Sequence, residues 1–361
     1  MANSRRQFLK DGVATGAALS LFGVSGSAAT QNRPAPGALA TERADAFMAL
    51  FGLRYPIVQA PAGGAELAAA ISSAGGLGHI PLWGGTQETA GDNVRALRSQ
   101  TKQPFAVNYV LSFEPRSLPA ALDAGAPVVQ FSWGIPRAES VAAIRQAGAK
   151  FGVQVGTALG ARAAVDAGAT YLVAQGNEAG GHVQSSTPLF ELLPLVLKEA
   201  GRVPVIVAGG ITTGQRLRSV LMAGASGAVM GTRFMATQES SAHPEYKNAL
   251  VKAHAADAVM SVCYQDGWPG ATHRTLRNGT LNRWEAAGCP PPGQRPGEGD
   301  AVARRPNGTN VLRYSIATPS RGLEGTVTDL AMYAGEGVSD VKDLPLVRDL
   351  LARIWAECIG G

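Results

Sequence analysis

Eight short apolar runs, at residues 57–59, 77–80, 105–110, 128–132, 151–155, 171–175, 205–208 and 228–231, are each of a length that suits a buried strand. Between them lie Ala-, Leu- and Arg-rich segments with helical periodicity, at 65–74, 86–100, 116–124, 138–147, 159–167, 188–200 and 214–223. Strands separated by helices pair in parallel, because only a long crossover returns the chain to the same direction. The turns agree with this. Ala124-Gly125-Ala126, Ala147-Gly148-Ala149, Ala167-Gly168-Ala169 and Ala223-Gly224-Ala225 each put a glycine where a helix ends and a strand begins. Eight units in about two hundred residues is the count of a (β/α)8 TIM barrel. An open doubly wound sheet usually has fewer, and no Gly-x-Gly-x-x-Gly follows the first run. The expectation is an α/β chain whose barrel spans 55–254.

The flanks read differently. Residues 30–54 form a Pro-rich linker followed by an amphipathic N-terminal helix. After 254 the repeats stop. Gly267-Trp268-Pro269-Gly270 and Cys289-Pro290-Pro291-Pro292-Gly293 carry too much Pro and Gly for barrel units, so 255–320 is expected to form a cap or substrate region. C-terminal helices are expected over 321–361. In the cap, Trp268 and Tyr264 read as an apolar wall or as core. Arg274, Arg277 and Arg283 read as contacts for an anionic substrate or as solvated surface.

Residues 1–29 have the grammar of an export signal. Ser4-Arg5-Arg6-Gln7-Phe8-Leu9-Lys10 has the twin-arginine pattern, a weakly apolar Ala/Gly stretch follows, and Ser27-Ala28-Ala29 offers small residues for cleavage. That pattern predicts a folded, cofactor-loaded cargo in the periplasm, with no stable membrane insertion once the signal is removed. Arg5, Arg6 and Lys10 also carry part of the formal +5 charge. The remainder has no basic block, so no nucleic-acid partner is expected. At 45% hydrophobic residues with a mean hydropathy of +0.03, the 361-residue chain is neither disordered nor an integral membrane protein. Cys263, Cys289 and Cys358 are far apart, and the five histidines show no ligand spacing, so no metal is expected. Oxidation could join two of the cysteines, but their spacing does not choose the pair.

In a barrel of this kind the site lies at the C-terminal ends of the strands, and phosphate binds after the last two. The seventh run leads into Ala208-Gly209-Gly210-Ile211-Thr212-Thr213-Gly214, and the eighth into Met230-Gly231-Thr232. Glycines here let a phosphate reach backbone N–H groups beside a helix start. Flavin mononucleotide, or another phosphorylated ligand, is the reading these loops favour. The first strand ends in Gln59-Ala60-Pro61, where a small residue leaves room for a planar ring, and Asn108 and Gln175 read as amides offered to its edge or as satisfied polar residues of the core. The sixth run opens onto Gly176-Asn177-Glu178-Ala179-Gly180-Gly181-His182, which delivers one histidine to the pocket.

With those segments in place the chain resembles the nitronate monooxygenase family, formerly called 2-nitropropane dioxygenase. The resemblance rests on the Gln-Ala-Pro opening, Gly75-Gly76-Leu77-Gly78, Val107-Asn108, Val155-Gly156-Thr157, the Glu178-Ala179-Gly180-Gly181-His182 and Ala208-Gly209-Gly210-Ile211 pair, and Gly231-Thr232-Arg233-Phe234. It runs from about Tyr55 through Tyr246, with an echo at 333–337. It implies an FMN-dependent barrel enzyme with His182 catalytic. FMN would be held by Ala60, Pro61, Asn108, Gln175, Gly180, Gly181, Gly209, Gly210, Met230, Gly231 and Thr232. Val229 and Ala62 depart from the family's usual Gln and Met, which points to some altered flavin contacts. The implied reaction is oxidation of a small-molecule nitronate or nitroalkane by O2 to a carbonyl compound and nitrite. The same motifs serve NAD(P)H-dependent flavin reductases, of the enoyl-acyl carrier protein reductase or quinone reductase kind. A non-catalytic flavin-binding module is the third class. Oligomeric state is left open.

Overall fold

The computed structural model describes residues 42–83 and 85–360; the twin-arginine segment lies outside them. The strands are β1 Ile57–Gln59, β2 Gly78–Pro81, β3 Phe105–Val110, β4 Val128–Ser132, β5 Lys150–Val155, β6 Tyr171–Gln175, the short β7 Gly181–His182, β8 Val205–Ala208 and β9 Gly227–Met230. Apart from β7 they form one parallel eight-stranded sheet in the order β1-β9-β8-β6-β5-β4-β3-β2. A bridge between Val58 and Leu77 closes the ring, with Leu77 N–H donating to Ile57 O at 3.0 Å and Gln59 N–H to Leu77 O at 2.9 Å. Sequence predicted each of these eight strands to within one residue at either end.

The helices in chain order are α1 Glu42–Phe51, α2 Gly64–Ala74, α3 Gln87–Gln100, α4 Leu118–Asp123, α5 Ala138–Gln146, α6 Ala158–Asp166, α7 Leu189–Ala200 and α8 Gly214–Met222. Thr86, Thr157 and Thr213 cap α3, α6 and α8 by accepting from the N–H of Thr89, Gly160 and Arg216. At the far ends the Ala-Gly-Ala turns do what their composition suggests. Gly125, at φ 86°, donates to Leu122 O while Ala126 donates to Ala121 O, and this returns the chain to the sheet.

Alternation along the strands sorts residues into two apolar layers. Ile57, Val107, Val129, Val153, Leu172, Val205, Val207 and Ala228 face the helices, whereas Val58, Ala106, Val128, Tyr171, Val173, Ile206 and Val229 face the barrel axis. Helix α1 plugs the axis from below: Phe47 and Phe51 lie edge-on to Tyr171, at 5.8 and 5.5 Å between ring centroids. That fills the N-terminal end of the barrel axis with aromatic side chains.

After β9 come the short α9 Thr232–Met235 and α10 Pro244–Lys252, then β10 Ala258–Ser261, β11 His273–Leu276, α11 Gly279–Ala286, β12 Ala301–Arg304, β13 Asn310–Leu312 and β14 Glu324–Gly325. These strands form two small sheets, β10-β11-β7 and β13-β12-β14. Over 321–361 several helices were expected, but the described residues hold one α-helix, α12 Val347–Gly360, preceded by 3-10 turns at Val327–Asp329 and Glu336–Asp340. The reason is its destination. α12 fits between α8 and α2 as the missing outer helix of the barrel, burying Val347, Leu350, Leu351, Ile354 and Cys358. Its Glu357 carboxylate accepts from Gly214 N–H at 2.9 Å, and its Cys358 carbonyl accepts from Arg218 at 3.0 Å. No described helix is long and apolar enough to cross a membrane.

Candidate active site

A cavity of about 590 Å³ opens at the C-terminal ends of the strands. Its two sides differ in chemistry. On the side of β8, β9 and β1 the wall is mostly main chain and small residues: Gly209, Gly210, Gly231, Thr232, Ala60 and Pro61. Gly209 and Gly210 stand at φ 134° and 66°, which L side chains rarely adopt, so the turn presents backbone without bulk. The sequence reading places ten of its eleven cofactor residues on this lining. Met230 is the exception. Its side chain is fully buried among the helix-facing residues because strand alternation turns it away from the axis, and its neighbour Val229 faces the cavity instead.

A flavin mononucleotide suits this lining. The glycine turns leave space for a phosphate, and Asn108, 3% exposed, has its side-chain oxygen buried with no hydrogen-bond partner. An orphan acceptor facing a cavity is what a ring N–H would satisfy.

Gln175 lines the cavity and its amide is also hydrogen-bonded within the protein. Its amide oxygen accepts from Gln184 N–H at 2.9 Å and its nitrogen donates to His182 O at 3.1 Å, so it clamps β7 against the end of β6. Gln184 extends the clamp to Gln154 O at 2.9 Å and accepts from Trp133 N–H at 3.0 Å. From the other side β7 pairs with β11, which sets His182 opposite His273 and Gly181 opposite Arg274. The histidine is therefore gripped by both barrel and cap.

The His182 ring stacks on Trp268 at 4.3 Å and meets Tyr333 at 5.4 Å and His273 at 5.5 Å. Burial, reinforced by His273, lowers its pKa to about 3, so the ring is neutral near pH 7. Its Nε2 is buried without a partner. Among the described residues, no Asp, Glu, Lys or Cys lines the cavity. The two lining tyrosines are engaged: Tyr246 donates to Tyr333 O, and Tyr333 donates to Ile316 O at 3.1 Å, with burial pushing both hydroxyls up. Among the described lining residues, His182 is the one with a buried ring nitrogen still free to meet a substrate, and Arg305 stands exposed at the rim.

The arginines expected from the cap do not reach this cavity. Arg274 is buried and binds Asn177 O at 2.8 Å, Ala258 O at 3.0 Å and the Glu336 carboxylate at 2.8 Å, which holds the loop before His182 in place. Arg277 pairs with Glu285, and Arg283 is exposed. The arginine that does line the cavity is Arg305, in the β12–β13 hairpin. Trp83 and Trp133, at the ends of β2 and β4, were also missed as wall residues. Their signal was position, since Trp133 directly follows an apolar run and Trp83 stands three residues after one.

A neutral, part-buried histidine over a glycine-walled, phosphate-ready pocket at a barrel mouth defines the class: a flavin-dependent oxidoreductase. Known proteins carry this further. The family model for nitronate monooxygenase matches residues 44–120 and 116–357. A nitronate monooxygenase of Pseudomonas aeruginosa is 32% identical over 366 residues, covering 88% of this chain and 99% of the relative. Among solved structures, a nitroalkane oxidase from Streptomyces ansochromogenes superposes with a TM-score of 0.68 at 29% identity, covering 87% of this chain and 98% of its own. FabK from Thermotoga maritima gives a TM-score of 0.72 at 26% identity, covering 87% and 95%. This chain belongs to the nitronate monooxygenase family, FMN-dependent enzymes that oxidise nitronates with O2.

Proposed function

We propose that this chain oxidises preformed alkyl nitronates to a carbonyl compound and nitrite, with O2 as electron acceptor, after export to the periplasm through the twin-arginine route. One observation carries the reading. His182 is neutral, with an unpartnered Nε2, in a cavity lined among the described residues by no carboxylate or amine. An anionic substrate meets no like charge there, and a neutral imidazole can donate one N–H to a nitronate oxygen. The low basicity of the same ring makes it a weak base toward a neutral nitroalkane.

FMN, held by Gly209, Gly210, Gly231, Thr232, Ala60, Pro61 and Asn108, supplies electron acceptance from a carbanion and electron delivery to O2. The chain's own residues do the positioning. Gln175 and the β7–β11 pairing fix His182, Trp268 supports its face, and the plug under the barrel excludes water from below. The Arg5-Arg6 leader favours a substrate that is its own electron donor, because NADH and NADPH are not expected outside the cytoplasm.

The likeness to FabK keeps a second reading in view, a pyridine-nucleotide-dependent flavin reductase. Anaerobic reduction separates the two. An alkyl nitronate should bleach the bound flavin, and air should restore the colour with release of nitrite, whereas NADH and NADPH should act slowly or not at all. Rapid bleaching by NADPH with no response to nitronates would transfer the assignment to the reductase.

A further inference from the structure

The chain has only five tryptophans, and three of them line this one cavity. Trp83 follows β2, Trp133 follows β4, and Trp268 descends from the cap, on the side of the barrel mouth away from the glycine turns of β8 and β9. They touch one another. Trp133 and Trp268 meet edge to face at 4.8 Å, and Trp83 lies 6.2 Å from Trp268. Phe113 backs the group, stacked on Trp83 at 5.6 Å and edge-on to Trp268 at 5.5 Å. Ile316, from the loop after β13, completes the wall. Trp268 also carries the His182 ring, so the apolar wall and the reactive imidazole are continuous.

Trp133 shows that the arrangement has a cost. It sits at φ 60°, a conformation that is an outlier for a bulky residue, and its N–H is tied to the Gln184 side chain. A residue kept in such a conformation, where glycine would be unstrained, marks a place where the side chain is needed. The wall-lining tryptophans are only part-buried at Trp83 and Trp133, so these rings are not filling a closed core.

We propose that this tryptophan wall is a subsite for a planar aromatic group, and that the nitronates preferred by this chain are aryl-substituted. The proposal rests on the nitronate reading and names its substrate class. The π faces and edges of Trp83, Trp133 and Trp268 accept a ring by offset-stacked and edge-to-face contact, while the anionic head of the same molecule meets His182.

Phenylacetate and acetate test the subsite apart from turnover, since a carboxylate imitates the planar nitronate anion and has nothing to oxidise. Calorimetric titration of the FMN-loaded protein should show phenylacetate binding at least tenfold more tightly than acetate. Trp133→Gly removes the wall while relieving the strained backbone, so it should fold, and it should reduce that preference about tenfold; Trp83→Leu should act in the same direction. In parallel, kcat/KM for the nitronate of phenylnitromethane should exceed that for ethyl nitronate in the wild type, and the ratio should fall in both variants. Equal affinity for the two carboxylates, or a preference that survives both substitutions, would overturn the subsite. A preference for phenylacetate without turnover of any nitronate would leave the subsite standing and refute the reaction.

Discussion

Gly180→Ala should damage this protein out of proportion to one methyl group. The sequence suggested that Gly180 is small for the sake of a cofactor, but the structure gives another reason. A Cβ there would lie 2.4 Å from Ala334 C, 2.4 Å from Gly335 N and 2.9 Å from Ala334 Cα, all of them backbone atoms that cannot rotate away. Restoring ordinary carbon contacts requires the 176–182 loop and the 333–337 segment to part by about 1 Å. Joining them are Glu336 N–H to Glu178 O at 3.0 Å and the Arg274 side chain, which bridges Asn177 O and the Glu336 carboxylate at 2.8 Å each, and Gly335 N–H to Thr232 Oγ1 at 3.0 Å holds the segment to the phosphate side. Losing two or three such interactions at about 1 kcal/mol each, with residual strain, predicts a destabilisation of about 2–4 kcal/mol. Because His182 is on the displaced loop, turnover should fall about 100-fold, the usual consequence of a 1 Å misplacement. Urea unfolding followed by tryptophan fluorescence measures the first quantity, and ethyl nitronate oxidation the second. Gly181→Ala is the control: it meets nothing within 4 Å and suffers only its φ of 74°, so it should cost about 1–2 kcal/mol. A Gly180→Ala protein with wild-type midpoint and turnover would refute the reasoning.

Gly210→Asp places bulk and negative charge at the phosphate turn and should yield colourless protein; a yellow variant with one FMN per chain would place the phosphate elsewhere. His182→Asn should keep FMN yet reduce nitronate turnover, and the loss on neutral nitroalkanes should be no greater, because a ring with its pKa lowered to about 3 contributes little as a base; a selective loss of about 10²–10⁴-fold on nitroalkanes would restore the base role. Burial holds His182 near 3 and His79 and His273 near 4, all below the unfolded value, so their stabilising contribution is complete above about pH 6.5 and is lost as pH falls toward 4; thermal melts should drop over that window, and less steeply in His182→Asn. Replacing Arg5 and Arg6 together by Lys should retain the precursor in the cytoplasm, and unchanged export would remove the twin-arginine reading.

The barrel was legible because its signals are local. A strand needs only a short apolar run, and a helix end only an Ala-Gly-Ala turn, so both survive in a single sequence. The glycine turn at Gly209 and Gly210 was legible for the same reason. What escaped depends on partners distant in the chain. Gln175 lines the cavity and also holds His182 and Gln184, and Gly180 is crossed closely by residues 334–335. The Met230 side chain is off the cavity because a motif names neighbours in sequence, whereas a strand sends adjacent side chains to opposite faces. Trp83 and Trp133 are separated by about fifty residues and from Trp268 by more than a hundred, so only the closed barrel shows that they form one wall.

Helix α12 sets an order in time as well as in space. The ring of outer helices stays one short until residue 360 has been synthesised, and until then the faces of α2 and α8 that it covers are wet and apolar. Newly made chain leaving a ribosome therefore has a finished strand order but an unsealed flank. A stop codon shortly before α12 would leave every residue of the cavity in the polypeptide while denying it a settled barrel to line. The outer shell of the barrel is therefore sealed by a segment more than a hundred residues along the chain from the helices it covers.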